Sequence, residues 1–158
     1  MKFYAGLDIS TQSAKIVVVD SEIHRIIYQN IVNYDKDLPQ FDTRNGVRQG
    51  VPTGVSESDP QMWIEALRQL FHELSLKTDL IGHIQAISVS GQQHGLVSLS
   101  AQGNLANPYS KLWNDFSTLE ECQLLTHALG GSEAMIQAVG NSQRTGYTAA
   151  KIYHMKRH

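Results

Sequence analysis

In "GLDISTQSAKIVVVD", residues 6 to 20, two apolar runs flank a polar knot: Asp8, then Ser10, Thr11, Gln12 and Ser13, with Lys15 just beyond. A turn of this composition can aim backbone N–H groups and hydroxyls at an anion, while a carboxylate beside it holds a divalent cation directly or through water. Phosphoryl transfer requires those parts: donors for the phosphate oxygens and a ligand for Mg²⁺. Lys15 can add positive charge. Polar residues also fill ordinary hairpin loops, so the spacing leaves a phosphate cradle and a plain turn both open.

A second constellation is "SVSGQQHG", where an apolar run delivers Gln92, Gln93 and His94 between Gly91 and Gly95. An amide offers donor and acceptor together, and a neutral imidazole offers one of each, which suits sugar hydroxyls. The plain alternative is a polar turn. A third is "LWNDFST", with the flat apolar face of Trp113 beside Asn114 and Asp115. Core packing for Trp113, and a turn or cap ahead of Ser117 for Asp115, are the plain alternatives. His24, His72, His83, His127, His154 and His158 show no metal-ligand spacing and read as surface or core residues.

The elements that must position these groups follow from periodicity. Residues 2 to 9, 14 to 20 and 24 to 33 are β-rich runs joined by short polar links, which predicts an antiparallel meander. The following segment, "DKDLPQFDTRNGVRQGVPTGVSESD", lacks periodicity and reads as a long excursion over the sheet edge, functional or mobile. Asp59-Pro60 is a helix start, and Trp63, Ala66, Leu67, Leu70, Phe71 and Leu74 repeat as one apolar face. "HIQAISVSG" reads as a buried strand and "GLVSLSAQGN" as a second strand with its turn. Helices alternating with strands imply an α/β fold.

The last third reads as helical. A capping box at Ser117/Glu120 or Thr118/Glu121 opens a helix that buries Leu125, Ala128 and Leu129 and stops at Gly130-Gly131. Ser132 opens a second helix, and Thr148 caps a third that meets the chain end without a stop signal.

With 158 residues, 41% hydrophobic and 18% charged, the chain has the composition of a folded domain and not of a disordered segment. A net charge of −2 supplies no basic field for nucleic acid or acidic lipid. The lone Cys122 fits a reducing compartment, and no apolar run approaches the ~20 residues of a membrane span. The expectation is a cytoplasmic protein.

Together these segments resemble the N-terminal part of the FGGY family of carbohydrate kinases, most closely its xylulokinases. "GLDISTQSAKIVVVD" is similar to the family's first phosphate motif, "YDKDLPQF" to a segment of the eukaryotic-type xylulokinases and "SGQQHG" to their sugar-side motif. "LWNDFST" and "RTGYTAAKIY" resemble the segments that follow, in the same order. The resemblance implies an actin-like, ribonuclease-H-like mixed sheet flanked by helices, with ATP in a cleft between two such domains and the sugar on the N-terminal side. It further implies that Asp8 assists Mg²⁺ through water, that Ser10, Thr11 and Gln12 face the γ-phosphate, and that Lys15 is a basic position. Gln93 and His94 would contact the ketose, and Trp113 and Asp115 would line its site. Arg144 lies one residue from the place of a sugar-contacting arginine.

Family members are much longer, and their general-base aspartate falls beyond residue 158. The expectation is therefore a sugar-side domain over residues 1–158, cut at its C-terminal end and lacking the nucleotide-side domain. Such a piece would not phosphorylate D-xylulose to D-xylulose 5-phosphate by itself. Three alternatives stand beside this one. Another kinase of the family could act on glycerol, ribulose, fuculose or gluconate. A ribonuclease-H-type nuclease also carries a carboxylate on its first strand, but needs more acidic residues than "HIQAISVS" and "LVSLS" supply. A non-catalytic remnant would bind sugar or a partner and self-associate, as a homodimer or more loosely, through uncovered apolar surface.

Overall fold

Alternation of apolar and polar residues drives the first hairpin. Phe3, Ala5 and Leu7 of β1 (Phe3–Ile9) and Ala14, Ile16 and Val18 of β2 (Ser13–Asp20) are buried, while Tyr4, Asp8 and Lys15 face outward. β3 (Arg25–Asn33) completes the expected meander, pairing antiparallel with β2. The computed structural model describes residues Met1–His158 and divides into two compact units, Met1–Gln49 with Asp59–Gln92, and Gly50–Ser58 with Gln93–His158.

The first unit continues with α1 (Tyr34–Asp37), a 3-10 turn at Pro39–Phe41, and the short strands β4 (Thr43–Arg44) and β5 (Val47–Arg48). The stretch expected as an excursion is therefore structured. After β6 (Glu57–Ser58), which belongs to the second unit, come α2 (Pro60–Ser75), α3 (Thr78–Ile81) and β7 (Ile84–Gly91). β7 runs parallel to β1, giving a mixed sheet of order β3-β2-β1-β7.

Asp59 caps α2 as expected, its carboxylate accepting the Gln61 N–H at 2.8 Å with Pro60 at the first helical position. Met62, Ala66, Leu70 and Leu74 of α2 are buried against Phe3, Ala5, Leu7, Ile16 and Val18, with Trp63, Leu67 and Phe71 flanking them. Each fully buried Leu or Met contributes about 1.5–3 kcal/mol, so this helix–sheet contact is the main source of stability in the unit.

Two expectations about strands fail. β7 is not a buried strand: Ile87 is 47% and Val89 66% exposed. Register places them beside Ala5 and Leu7, on the core face, but α2 packs over β2 and β3 and leaves this edge strand uncovered. "GLVSLSAQGN" forms only isolated bridges, Leu96 with Lys111 and Leu99 with Leu105, because its backbone closes locally on a turn at Ser100–Asn104.

The second unit holds β8 (Ser110–Lys111), paired with β6, then α4 (Leu119–Ala128), α5 (Ser132–Val139) and α6 (Thr148–Arg157). No capping box forms at α4: Thr118 instead turns its hydroxyl to the Thr145 carbonyl at 3.2 Å. Nor does the expected trio face inward, since Ala128 and Leu129 are exposed and Leu125 only half-buried, while Glu121 and Cys122 are buried. Tyr147, not Thr148, occupies the N-cap of α6. Gly130 and Gly131, at φ 87° and 101°, end α4 as expected. No helix is long and apolar enough to cross a membrane.

Candidate functional site

In the first unit the polar knot is the turn between β1 and β2. The Ser10 N–H and hydroxyl both donate to the Ser13 carbonyl at 3.0 Å and close it. Two more carbonyls are drawn the other way, toward α1: the Tyr34 hydroxyl donates to Ser10 O at 3.1 Å and the Tyr34 N–H to Gln12 O at 3.1 Å. Tyr34 is wholly buried. Burial, with the Asp8 charge second, pushes its phenol well above the usual tyrosine range, so it remains a neutral donor.

A further brace comes from Asp35, whose carboxylate accepts from the Thr43 hydroxyl at 2.8 Å and from the backbone N–H groups of Asn45 and Gly46. Burial pushes this carboxyl up, but the bonds from Gly46, Thr43 and Asn45 outweigh it and hold the group below its ordinary value. They fold Asn45-Gly46 back onto the knot. Gly46 stands at φ 74°, and a Cβ there would lie 1.8 Å from the Thr11 carbonyl oxygen.

Asp8 and Lys15 are directly opposed across β1 and β2, exposed and on one face, with Ser90 of β7 on the other side of Asp8. An exposed carboxylate beside hydroxyl-bearing residues is a hard oxygen donor with room for intervening water, which fits Mg²⁺. The structure thus gathers Asp8, Ser10, Thr11, Gln12 and Lys15 at one end of a single hairpin.

The second unit holds Gln93, His94, Trp113, Asp115 and Arg144. Gln93 and His94 are exposed, and His94 has the left-handed φ of 61°. Its carbonyl accepts the Lys151 ammonium at 2.6 Å, and its ring lies 4.6 Å from that of Tyr147. Trp113 is 51% exposed, so it is a displayed surface and not a core residue. Arg144 is exposed, and its carbonyl accepts the Tyr147 N–H at 2.9 Å.

Asp115 behaves differently. It is completely buried, with Oδ2 accepting the Ser56 N–H at 2.8 Å and Oδ1 accepting the Ser117 hydroxyl at 2.6 Å and its N–H at 3.1 Å. Lys111 adds an ion pair at 3.6 Å. Its oxygens fix the turn that presents Trp113. A cavity of about 470 Å³ in this unit is lined by Leu96, Tyr109, Lys111, Lys151 and His154 among others, and by none of the five expected residues.

His154 and His158, read from their spacing as surface or core residues, converge on one carboxylate. Both approach Glu121 Oε1, at 3.3 and 3.6 Å. That oxygen already accepts Arg157 Nη1 at 2.7 Å, and Arg157 also reaches Glu120 at 2.6 Å. The cluster is an ion-pair network tying α6 to α4.

Sequence reasoning missed Tyr34, Asp35, Gly46 and Lys151. Asn45-Gly46 was visible as a turn dipeptide, and Tyr34-Asp35 stood inside "YDKDLPQF". Lys151 stood inside "RTGYTAAKIY", but its burial carried no signal, because lysine is almost never fully buried.

Comparison with known proteins gives the family and the fold. Residues 3–158 match the pattern of the FGGY family of carbohydrate kinases, N-terminal domain. A xylulose kinase of Schizosaccharomyces pombe is 33% identical over 174 residues, covering 98% of this chain and 30% of that protein. Xylulose kinase 2 of Arabidopsis thaliana is 32% identical, covering 94% and 30%. A crystal structure of a xyloylose kinase from Brucella ovis superposes with a TM-score of 0.79 at 28% identity, covering 98% of this chain and 29% of that one. The chain thus spans about 30% of the length of the curated relatives it matches. Its mixed sheet and flanking helices have the actin-like fold of these kinases.

Proposed function

Because the chain belongs to the FGGY family of carbohydrate kinases, we propose that it contributes the phosphate-facing turn and the sugar-facing loops of an ATP- and Mg²⁺-dependent kinase whose substrate is D-xylulose. The observation that supports this most directly is the braced turn at Ser10–Ser13 with exposed Asp8 and Lys15 beside it. A loop stapled by Tyr34 and Gly46 is pre-organised, and phosphoryl transfer depends on positioning and charge stabilisation more than on covalent chemistry. Asp8 would hold Mg²⁺ through water. Ser10, Thr11 and Gln12 would face the γ-phosphate, with Lys15 offsetting its charge. Bound ATP·Mg²⁺ supplies the transferable phosphoryl group.

On the sugar side, Gln93 and His94 would bond the ketose hydroxyls, with Trp113 as an apolar floor and Arg144 at the rim. Asp115 would act by shaping the Trp113 turn, since its oxygens are already engaged. On this reading the general base would lie outside residues 1–158, so these residues would bind without turning over; the reaction would take place in the cytoplasm.

The test pairs two proteins with ATP, Mg²⁺ and a panel of D-xylulose, ribulose, glycerol, fuculose and gluconate. One is the 158-residue chain and the other a full-length kinase carrying it. The reading expects D-xylulose turnover only from the longer protein. Preference for another sugar would reassign the substrate, and sustained phosphorylation by the 158 residues would overturn the assignment of the base.

A further inference from the structure

Lys151 is wholly buried in the first turn of α6, and its ammonium donates to two backbone carbonyls, His94 and Gly146, each at 2.6 Å. A buried ammonium carries a large desolvation cost unless its protons are bonded. Here the nearest partners are carbonyls of two separate loops, so the charge clamps backbone to backbone. We propose that Lys151 is a positioning residue that sets the shape of the Gln93–His94 turn. The role in sugar binding rests on the function proposed above; the clamp itself does not.

Three further observations converge on the same place. His94 sits at φ 61°, a conformation strained for a non-glycine residue that persists only where its surroundings enforce it. Its ring packs against Tyr147 at 4.6 Å, so the residue is held by carbonyl and side chain at once. Gly146 abuts the backbone of Trp113, where a Cβ would stand 2.6 Å from the carbonyl oxygen. One buried ammonium therefore bonds the loop bearing His94 and the loop that rests on Trp113.

The charged groups facing it are Asp115, from the turn before α4, and Lys111, from β8. Burial pushes the Lys151 ammonium down to about 8, with Asp115 opposing and Lys111 reinforcing the shift. Above that pH the amine loses a proton and its charge-assisted bonds weaken. Stability moves the opposite way. Between about 8 and 10.5 the unfolded lysine holds the proton that the folded one has lost, so the contribution of Lys151 to stability rises through that window. A merely structural lysine would give no loss of loop order with rising pH.

The experiment follows the His94 imidazole carbon-bound protons by NMR from pH 7 to 9.5, in the wild-type chain and in Lys151→Met, with D-xylulose titrated calorimetrically at pH 7 and 9. The expected result is loss of the ring-current shift from Tyr147 with a midpoint near 8 in the wild type. In Lys151→Met the shift is absent throughout. D-xylulose affinity falls by about 10-fold between the two pH values in the wild type only, as expected for weakening of hydrogen bonds to a charged group. His94 signals that ignore both pH and substitution would overturn the clamp. If Lys151→Met does not fold, the wild-type series alone decides. If His94 follows Lys151 yet D-xylulose binds at neither pH, the clamp stands and the sugar assignment falls.

Discussion

At the scale of single residues, the Ser10–Ser13 turn depends on contacts from outside itself. Tyr34 donates to two of its carbonyls, and Gly46 leaves room for a third, that of Thr11. Gly46→Ala tests that packing. Its φ of 74° strains any residue with a Cβ, and the new methyl would overlap the Thr11 carbonyl, whose position is fixed by the hairpin. The expected cost is about 2–4 kcal/mol, combining backbone strain with overpacking. Urea unfolding of variant and wild type would measure it; equal midpoints would mean that the Asn45-Gly46 turn does not rest on the knot. Little of this was legible beforehand: Asp8 to Lys15 announced themselves by type and spacing, whereas Tyr34, Asp35 and Gly46 act through distances of sequence that no local pattern records.

At the scale of elements, α6 is held to α4 by Glu121, which accepts from Arg157 and lies beside His154 and His158. Burial pushes this carboxyl up, but bonds from its own backbone, His154 and Arg157 together hold it below its ordinary value. A carboxylate with a depressed folded pKa contributes stability above its unfolded value and loses it as the pH falls through the folded one. The helix pair should therefore weaken progressively below pH 4.5. Unfolding midpoints measured from pH 7 to pH 3 would show a decline that Glu121→Gln lacks. A parallel decline in both proteins would assign the acid sensitivity elsewhere. The element pattern itself was well marked in the meander, in α2 and in the Gly130-Gly131 stop. It failed at α4, where apolar periodicity pointed to Leu125, Ala128 and Leu129 while an ion pair with α6 selected the face carrying Glu121.

At the scale of the whole molecule, β7 leaves Ile87 and Val89 uncovered on an edge strand with unpaired backbone groups. Exposed apolar edges of this kind template association between copies. Sedimentation velocity should show concentration-dependent self-association of the 158-residue chain, and Val89→Lys should shift it toward monomer by placing a charge on that edge. A wild-type chain that stays monomeric at every concentration would remove β7 from consideration as a contact surface.

What the sequence determined by itself was the chemistry available and the class of fold. Helical and strand periodicities suffice for an α/β domain, and the residue types at Asp8–Lys15 and Gln93-His94 supply polar groups suited to a phosphate and a sugar, because those signals are local. Tertiary structure decided which groups are exposed and which are buried as braces. Asp115, expected beside Trp113 at the sugar site or as a surface turn, is completely buried, as is Lys151, while Trp113, for which core packing was the plain alternative, is exposed. The physical reason is that burial of a charge requires partners from distant segments, here Ser56 for Asp115 and His94 for Lys151, and those partners meet only when the chain folds.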